Sequence, residues 1–317
     1  MEHAPLGRSG LEVSRVGFGC AAIGGHDYGA VDDATSIAAV HRALELGVTF
    51  FDTADVYGLG HAEEVLRQAL EGRGDGAVVA TKVGVRWNER GAVARDLSPA
   101  WIARAVEGSL RRLGVEQIHL LQLHWPDPAT PLEATLEAVA GLVEAGKVLH
   151  LGVCNFTLEM VERAQGLMRV ESLQVPYNLA DREHEATLRA CAERHGMLVM
   201  TYNSLAQGLF TGKYDSRSEF AGTDLRQRSA LFQGERLERN LRMLGALRQV
   251  AARRGTTPAQ TAVRWLLDQP GVGCVLTGIK TPRQAEENAA AAGWRLDDDD
   301  LALLAAAASE LDVTRSG

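Results

Sequence analysis

Residues 118–153 read IHLLQLHWPDPATPLEATLEAVAGLVEAGKVLHLGV. Ile118 to Leu123 is a short, nearly unbroken apolar run, and Val148 to Val153 is another. Runs of this length without polar alternation suit strands covered on both faces, as in a parallel sheet. Between them, Thr130-Pro131-Leu132-Glu133 offers a hydroxyl at a helix N-cap, proline in the first turn and a glutamate to close a capping box. Strand, helix, strand is the unit of a parallel α/β protein.

The unit recurs in both directions along the chain. Val16 to Gly19, Val48 to Phe51, Ala77 to Thr81, Leu173 to Val175, Leu198 to Tyr202 and Val272 to Leu276 complete eight apolar runs. Helices are expected over Asp33 to Leu46, Ala62 to Leu70, Ala100 to Leu113, Leu158 to Leu167, Glu183 to His195 and Leu237 to Arg254, where apolar residues recur at three and four. Thr257-Pro258 with Gln260 and Thr281-Pro282 with Gln284 repeat the capping-box signal, and Ser98-Pro99 the simple cap. Eight strands each followed by a helix, with no linker-like break, predict a single (β/α)₈ TIM barrel over residues 1–317, above the usual ~250 residues. An open doubly wound sheet is the runner-up, but Gly17, Gly19 and Gly24 read GxGxxxxG rather than GxGxxG. The excess is placed in an N-terminal β-hairpin within Met1 to Arg15 closing the barrel bottom, a polar excursion from Gly212 to Glu235, and extra C-terminal helix from Asp297 onward. Asp297 to Asp300 read as a solvated helix start, and Arg236 to Arg254 as an exposed helix face.

Acidic residues outnumber basic ones, 41 to 33, for a net charge of -8, which disfavours nucleic acid or an anionic membrane as partner. The richest apolar stretch, Leu132 to Val153, is interrupted by Glu133, Glu137, Glu144 and Lys147, so no membrane span is expected. Met1 to Gly10 lacks an apolar signal core, and a cytoplasmic address is expected. The cysteines at 20, 154, 191 and 274 lie too far apart for a zinc or disulfide pattern, so they are read as reduced, and no metal is expected.

Barrel chemistry sits at the C-terminal ends of strands. Asp52, Lys82 and His124 stand there, with Tyr57 in the loop after Asp52. Taken singly, each has a plainer explanation: a turn cap, a surface lysine, a core histidine, a packing tyrosine. Together they make a proton-transfer set. A neighbouring ammonium on Lys82 favours the phenolate of Tyr57, Asp52 keeps that lysine charged, and His124 orients a carbonyl oxygen.

Gly47-Val48-Thr49-Phe50-Phe51-Asp52-Thr53-Ala54-Asp55-Val56-Tyr57-Gly58 with Glu63-Glu64-Val65-Leu66, then Thr81-Lys82 and Leu123-His124-Trp125, resemble the signatures of the aldo-keto reductases. The resemblance spans the chain and is to the long-loop bacterial members, related to the potassium-channel β subunits. It implies Tyr57 as general acid, Asp52 and Lys82 as its tuning pair, His124 as carbonyl orienter, and a nicotinamide cofactor held without a Rossmann fold. By the same resemblance the cofactor lies along Gly19, with Asn155 and Gln174 at its carboxamide and Tyr202 against the ring. Asn203, Ser204, Leu205, Gln207, Gly208 and Lys213 would follow the pyrophosphate, and Gly278, Lys280, Gln284, Glu287 and Asn288 the adenosine end. Asn203-Ser204 stands where the family usually has Ser-Pro, and Gln284 stands where many members carry arginine. The missing arginine weakens the preference for a 2′-phosphate without removing it, so NADP is expected first and NAD second.

The expected reaction is reduction of an aldehyde or ketone, or oxidation of the matching alcohol or sugar. A cofactor-binding regulatory or scaffold protein of the same fold is the alternative, and a hydrolase built on Asp52 and Asp55 a third reading. Substrate is expected to meet Tyr28, Trp87, Trp125 and Phe220, with His26, Asp27 and Arg86 toward hydroxyls.

Overall fold

The structure is a computed structural model that describes residues 1–25, 28–88, 92–220 and 224–313. His26 and Asp27 lie outside the described residues. The polypeptide begins with an antiparallel hairpin, β1 (His3–Pro5) and β2 (Glu12–Ser14), followed by the first barrel strand β3 (Val16–Gly19). Then come α1 (Asp33–Glu45), β4 (Phe50–Asp52), α2 (His61–Leu70) and β5 (Val78–Val83). A second hairpin, β6 (Val85–Trp87) and β7 (Val93–Arg95), precedes α3 (Pro99–Leu113), β8 (Ile118–Leu123), α4 (Leu132–Glu144), β9 (Val148–Cys154) and α5 (Leu158–Leu167). The chain continues through β10 (Ser172–Pro176), α6 (Glu185–His195), β11 (Leu198–Tyr202), α7 (Gly234–Arg254), α8 (Pro258–Leu267), β12 (Cys274–Gly278), α9 (Pro282–Ala289) and α10 (Asp298–Val313).

Strands β3, β4, β5, β8, β9, β10, β11 and β12 pair in that order, all parallel, and β12 closes on β3. This is the expected barrel. Closure places Gly278 opposite Gly19 and Gly19 opposite Asp52, so the first and last strands deliver the site's residues to one rim.

The N-terminal hairpin plugs the opposite end, as its sequence suggested. Leu6 and Val13 are fully buried against Phe50, Leu120, Leu198 and Cys274. Leu6→Ala is expected to lower the unfolding free energy by about 3 kcal/mol, measured by urea denaturation, because it opens a cavity under the barrel. Arg15 locks the plug by donating to the carbonyls of Leu267 at 2.7 Å and Val272 at 2.9 Å.

Two readings need correction. Thr130 does not cap α4: Pro131 occupies the N-cap position without a side-chain bond, and the Thr130 hydroxyl donates to Asp127 Oδ2 at 2.7 Å. Asp127, three residues upstream, also accepts the backbone N–H groups of Leu97 and Ala129, so the turn before the helix organises around its carboxylate and Glu133 turns to Arg163 instead. The other two boxes form as expected at Thr257 and Thr281. The acidic run is not simply solvated, since Asp300 is 1% exposed and pairs with Arg253 at 2.7 Å and Arg254 at 2.5 Å. Arg253 and Arg254 stay on the exposed face of α7 while making these contacts.

Candidate active site

The ends of β4, β5 and β8 meet around one buried ammonium. Lys82, at 0% exposure near the end of β5, donates to Asp52 Oδ2 at 2.6 Å, the Thr53 carbonyl at 2.9 Å and the Tyr57 hydroxyl at 3.1 Å. Burial works against its charge, but Asp52 and Tyr57 outweigh that and hold its pKa above the usual lysine value. The ring of His124 meets that of Tyr57 edge-on, with centroids 5.7 Å apart. Burial, reinforced by the Lys82 charge, pushes the His124 pKa well below its ordinary value, so the imidazole is neutral at physiological pH.

Tyr57 departs from the sequence reading in one respect. Lys82 does pull its pKa down, yet burial is the larger effect, and the phenol sits above its usual value. A protonated phenol is what a general acid requires.

The loop carrying Tyr57 is fixed by backbone packing. Gly58 has φ 59°, and a Cβ there would lie 2.1 Å from the Gly24 carbonyl oxygen, so the turn rests directly on the segment after β3. Any side chain at Gly58 would lift Tyr57 away from Lys82.

A cavity of about 380 Å³ opens above this set. Of the expected residues, Gly19, Asp52, Tyr57, Gln174, Tyr202, Asn203, Ser204, Leu205, Gln207, Gly208, Lys213, Gly278, Lys280 and Gln284 line it. Lys82, His124, Asn155, Glu287 and Asn288 do not, and of the aromatics expected to meet substrate Tyr28 lines it while Trp87, Trp125 and Phe220 do not. Asn155, at φ 60°, instead bridges the His124 carbonyl at 3.0 Å and the Tyr202 hydroxyl at 2.8 Å, tying the seat of the ring to the histidine loop. Gln174 donates to Asp52 Oδ1 at 2.8 Å. Gln284 serves its capping box, accepting from the backbone N–H of Lys280 at 2.8 Å and Thr281 at 3.2 Å, while still forming part of the wall.

One end of the cavity is cationic. Lys213, Arg226 and Lys280 all line it, and burial together with the charges of Arg226 and Lys213 depresses the Lys280 pKa. Lys280 donates to the Tyr28 carbonyl at 2.7 Å. Arg226 is held by Asp224 and lies over the rings of Phe220 and Tyr214, at 5.0 and 5.2 Å. The sequence reading passed over Arg226, because a polar excursion shows no period that marks which side chain turns inward. It also passed over Gln122, although a lone amide in an apolar run two residues before His124 is a visible signal.

The cavity fits an elongated dianion with an amide-bearing ring. Gln174 and the cluster of Asp52, Lys82 and Tyr57 lie at one end, and Lys213, Arg226 and Lys280 at the other. The hydrolase reading fails on geometry, since Asp55 is fully buried and absent from the cavity wall. Among the described residues, no cluster of potential metal ligands and no helix long and apolar enough to cross a membrane occurs.

Comparison with known proteins supplies the family. Residues 15–309 match the profile of the Aldo/keto reductase family. Aldo-keto reductase YhdN of Bacillus subtilis is 38% identical over 95% of this chain and 91% of its own length. The NADH-specific methylglyoxal reductase of Escherichia coli is 30% identical over 98% of this chain and all of its own. Among solved structures, the glycerol dehydrogenase AKR11B4 of Gluconobacter oxydans superposes with a TM-score of 0.87 at 37% identity, covering 95% of this chain and 93% of that one. With its barrel, its rim residues and these relatives taken together, the chain belongs to the aldo/keto reductase family of oxidoreductases.

Proposed function

We propose that the protein reduces small polar aldehydes or ketones with NADPH, Tyr57 delivering the proton to the carbonyl oxygen. The observation that carries this reading is the single buried ammonium of Lys82 shared by Asp52 and the Tyr57 hydroxyl at the cavity floor. When bound, the dihydronicotinamide supplies the hydride that adds to the carbonyl carbon. Tyr57 gives up its O–H proton as negative charge gathers on the oxygen, and the nearby ammonium stabilises the phenolate left behind. Neutral His124 orients the carbonyl, and Tyr202 with Gln174 seats the ring and its amide. Tyr57 is then reprotonated from solvent, completing formation of the alcohol.

The named activities of the relatives, on glycerol and methylglyoxal, point to short polyol-sized substrates. NADPH is preferred over NADH because Lys213, Arg226 and Lys280 crowd one end of the cavity without a matching number of acids there, which suits an additional phosphate. The test is fluorescence titration with each nucleotide, followed by turnover of short aldehydes. Tighter NADPH binding and aldehyde-dependent oxidation of it are expected. Equal binding of both nucleotides, or NADH favoured, would remove the cofactor assignment, and binding without turnover would return the protein to the scaffold alternative. Lys280→Met is expected to weaken NADPH about 10- to 100-fold and NADH less, in the same titration.

A further inference from the structure

Asp52 is gripped on both oxygens. Oδ2 faces Lys82, while Oδ1 accepts from Gln122 Nε2 at 2.9 Å and Gln174 Nε2 at 2.8 Å. A carboxylate only accepts, so both amides must turn their NH₂ groups toward it. That fixes Gln122 Oε1, which takes further bonds from Gln174 Nε2 and the Cys154 thiol, each at 3.4 Å. The polarity of the chain of bonds is therefore set from end to end. Gln122 is 0% exposed and is the register partner of Lys82 on one side and Gly152 on the other. A Cβ at Gly152 would lie 3.1 Å from Gln122 Cγ and 2.2 Å from Ser172 Oγ, so the missing side chain keeps open the space that the amide occupies. Gln122 is absent from the cavity wall, whereas Gln174 is part of it.

We propose that Gln122 is a positioning residue for the proton transfer: with Gln174 it pins Asp52 Oδ1, keeping Oδ2 and Lys82 beneath the Tyr57 hydroxyl and linking that arrangement to the nicotinamide seat. The proposal rests on Tyr57 as the proton-transfer group. Two amide donors draw the carboxylate's charge toward Oδ1 and leave more of the ammonium's field for Tyr57. Losing one makes the phenol harder to ionise. The other titratable groups around the set do not offset this. The thiols of Cys20, Cys154 and Cys274, the phenol of Tyr202 and the imidazole of His124 are kept uncharged by burial, burial likewise pushes the Asp55 carboxyl well above its usual pKa, and Glu63 is paired with Arg112 at 2.7 Å.

The test compares Gln122→Met and Gln122→Glu with the wild type, using Tyr57→Phe as control. NADPH binding is followed by fluorescence and the pH profile by alcohol oxidation with NADP⁺, where the phenolate acts as base. Gln122→Met is expected to bind NADPH within about threefold, to lose about 10- to 100-fold in kcat, and to shift the rising limb to higher pH by roughly half to one unit. A protonated glutamate can still donate to Asp52, so Gln122→Glu is expected to recover activity over Gln122→Met at low pH and to lose it as that carboxyl ionises. Should Gln122→Met fail to fold, the pH dependence of Gln122→Glu decides. A rising limb at its wild-type position in the variants that fold, whatever their rates, would overturn the positioning role. Turnover retained by Tyr57→Phe would instead overturn the reading of the site beneath it.

Discussion

Tyr57→Phe lowers kcat for carbonyl reduction by about 10²- to 10⁴-fold, with NADPH affinity changed by no more than about twofold, in steady-state assays paired with fluorescence titration. The split between kcat and binding follows from position. The variant keeps the ring that meets His124 edge-on and removes only the oxygen that Lys82 reaches at 3.1 Å. Lys82 is hydrogen-bonded to that oxygen and to Asp52, so the variant removes the hydroxyl the buried ammonium reaches. Because burial holds the Tyr57 phenol above its usual pKa, the wild-type reduction rate is expected to stay level through neutral and mildly alkaline pH. His124, kept neutral, adds no inflection near pH ~6.5.

Lys82→Met carries the second large effect, and it falls on stability as well as rate. The ammonium is fully buried and has three partners; removing it leaves Asp52 as a buried carboxylate with only its amide donors. An uncompensated buried charge of this kind costs about 3–5 kcal/mol. In the variant, Asp52 would bind its proton more tightly in the folded than in the unfolded chain. The deficit is therefore absent below the unfolded carboxylate pKa of about 3.9, opens as pH rises above it, and is complete above the folded value. Denaturation at pH 5 and pH 8 should show the larger loss at pH 8. The rate falls by about 10² or more at either pH, because nothing then stabilises the phenolate.

The barrel was readable from the sequence because it rests on burial. Each strand is covered on both faces and so is a continuous apolar run, as in Ile118 to Leu123 and Leu198 to Tyr202, whose limits the structure reproduces. The clustering of the four rim residues was readable for a related reason: Asp52, Lys82 and His124 are polar residues set against apolar strands at known ends, and the structure brings them together with Tyr57. What escaped was relational. Thr130 has the spacing of a cap, but Asp127 competes for its hydroxyl, and only folded geometry shows which bond forms. Arg226 enters the cavity because Asp224 and a pair of aromatic rings fold the excursion inward, a matter of tertiary contact that no local pattern encodes. The direction of the Tyr57 shift was misjudged because a list of neighbouring charges omits the desolvation that outweighs them.

The most direct test of the account is a single-turnover experiment in which enzyme loaded with NADPH is mixed with a short aldehyde and nucleotide oxidation is followed by stopped flow, in the wild type and in Tyr57→Phe. A rapid burst is expected in the wild type and its loss in the variant, although both hold the nucleotide equally well. A burst of the same rate in Tyr57→Phe would contradict it, and would mean that the proton comes from somewhere other than the hydroxyl above Lys82.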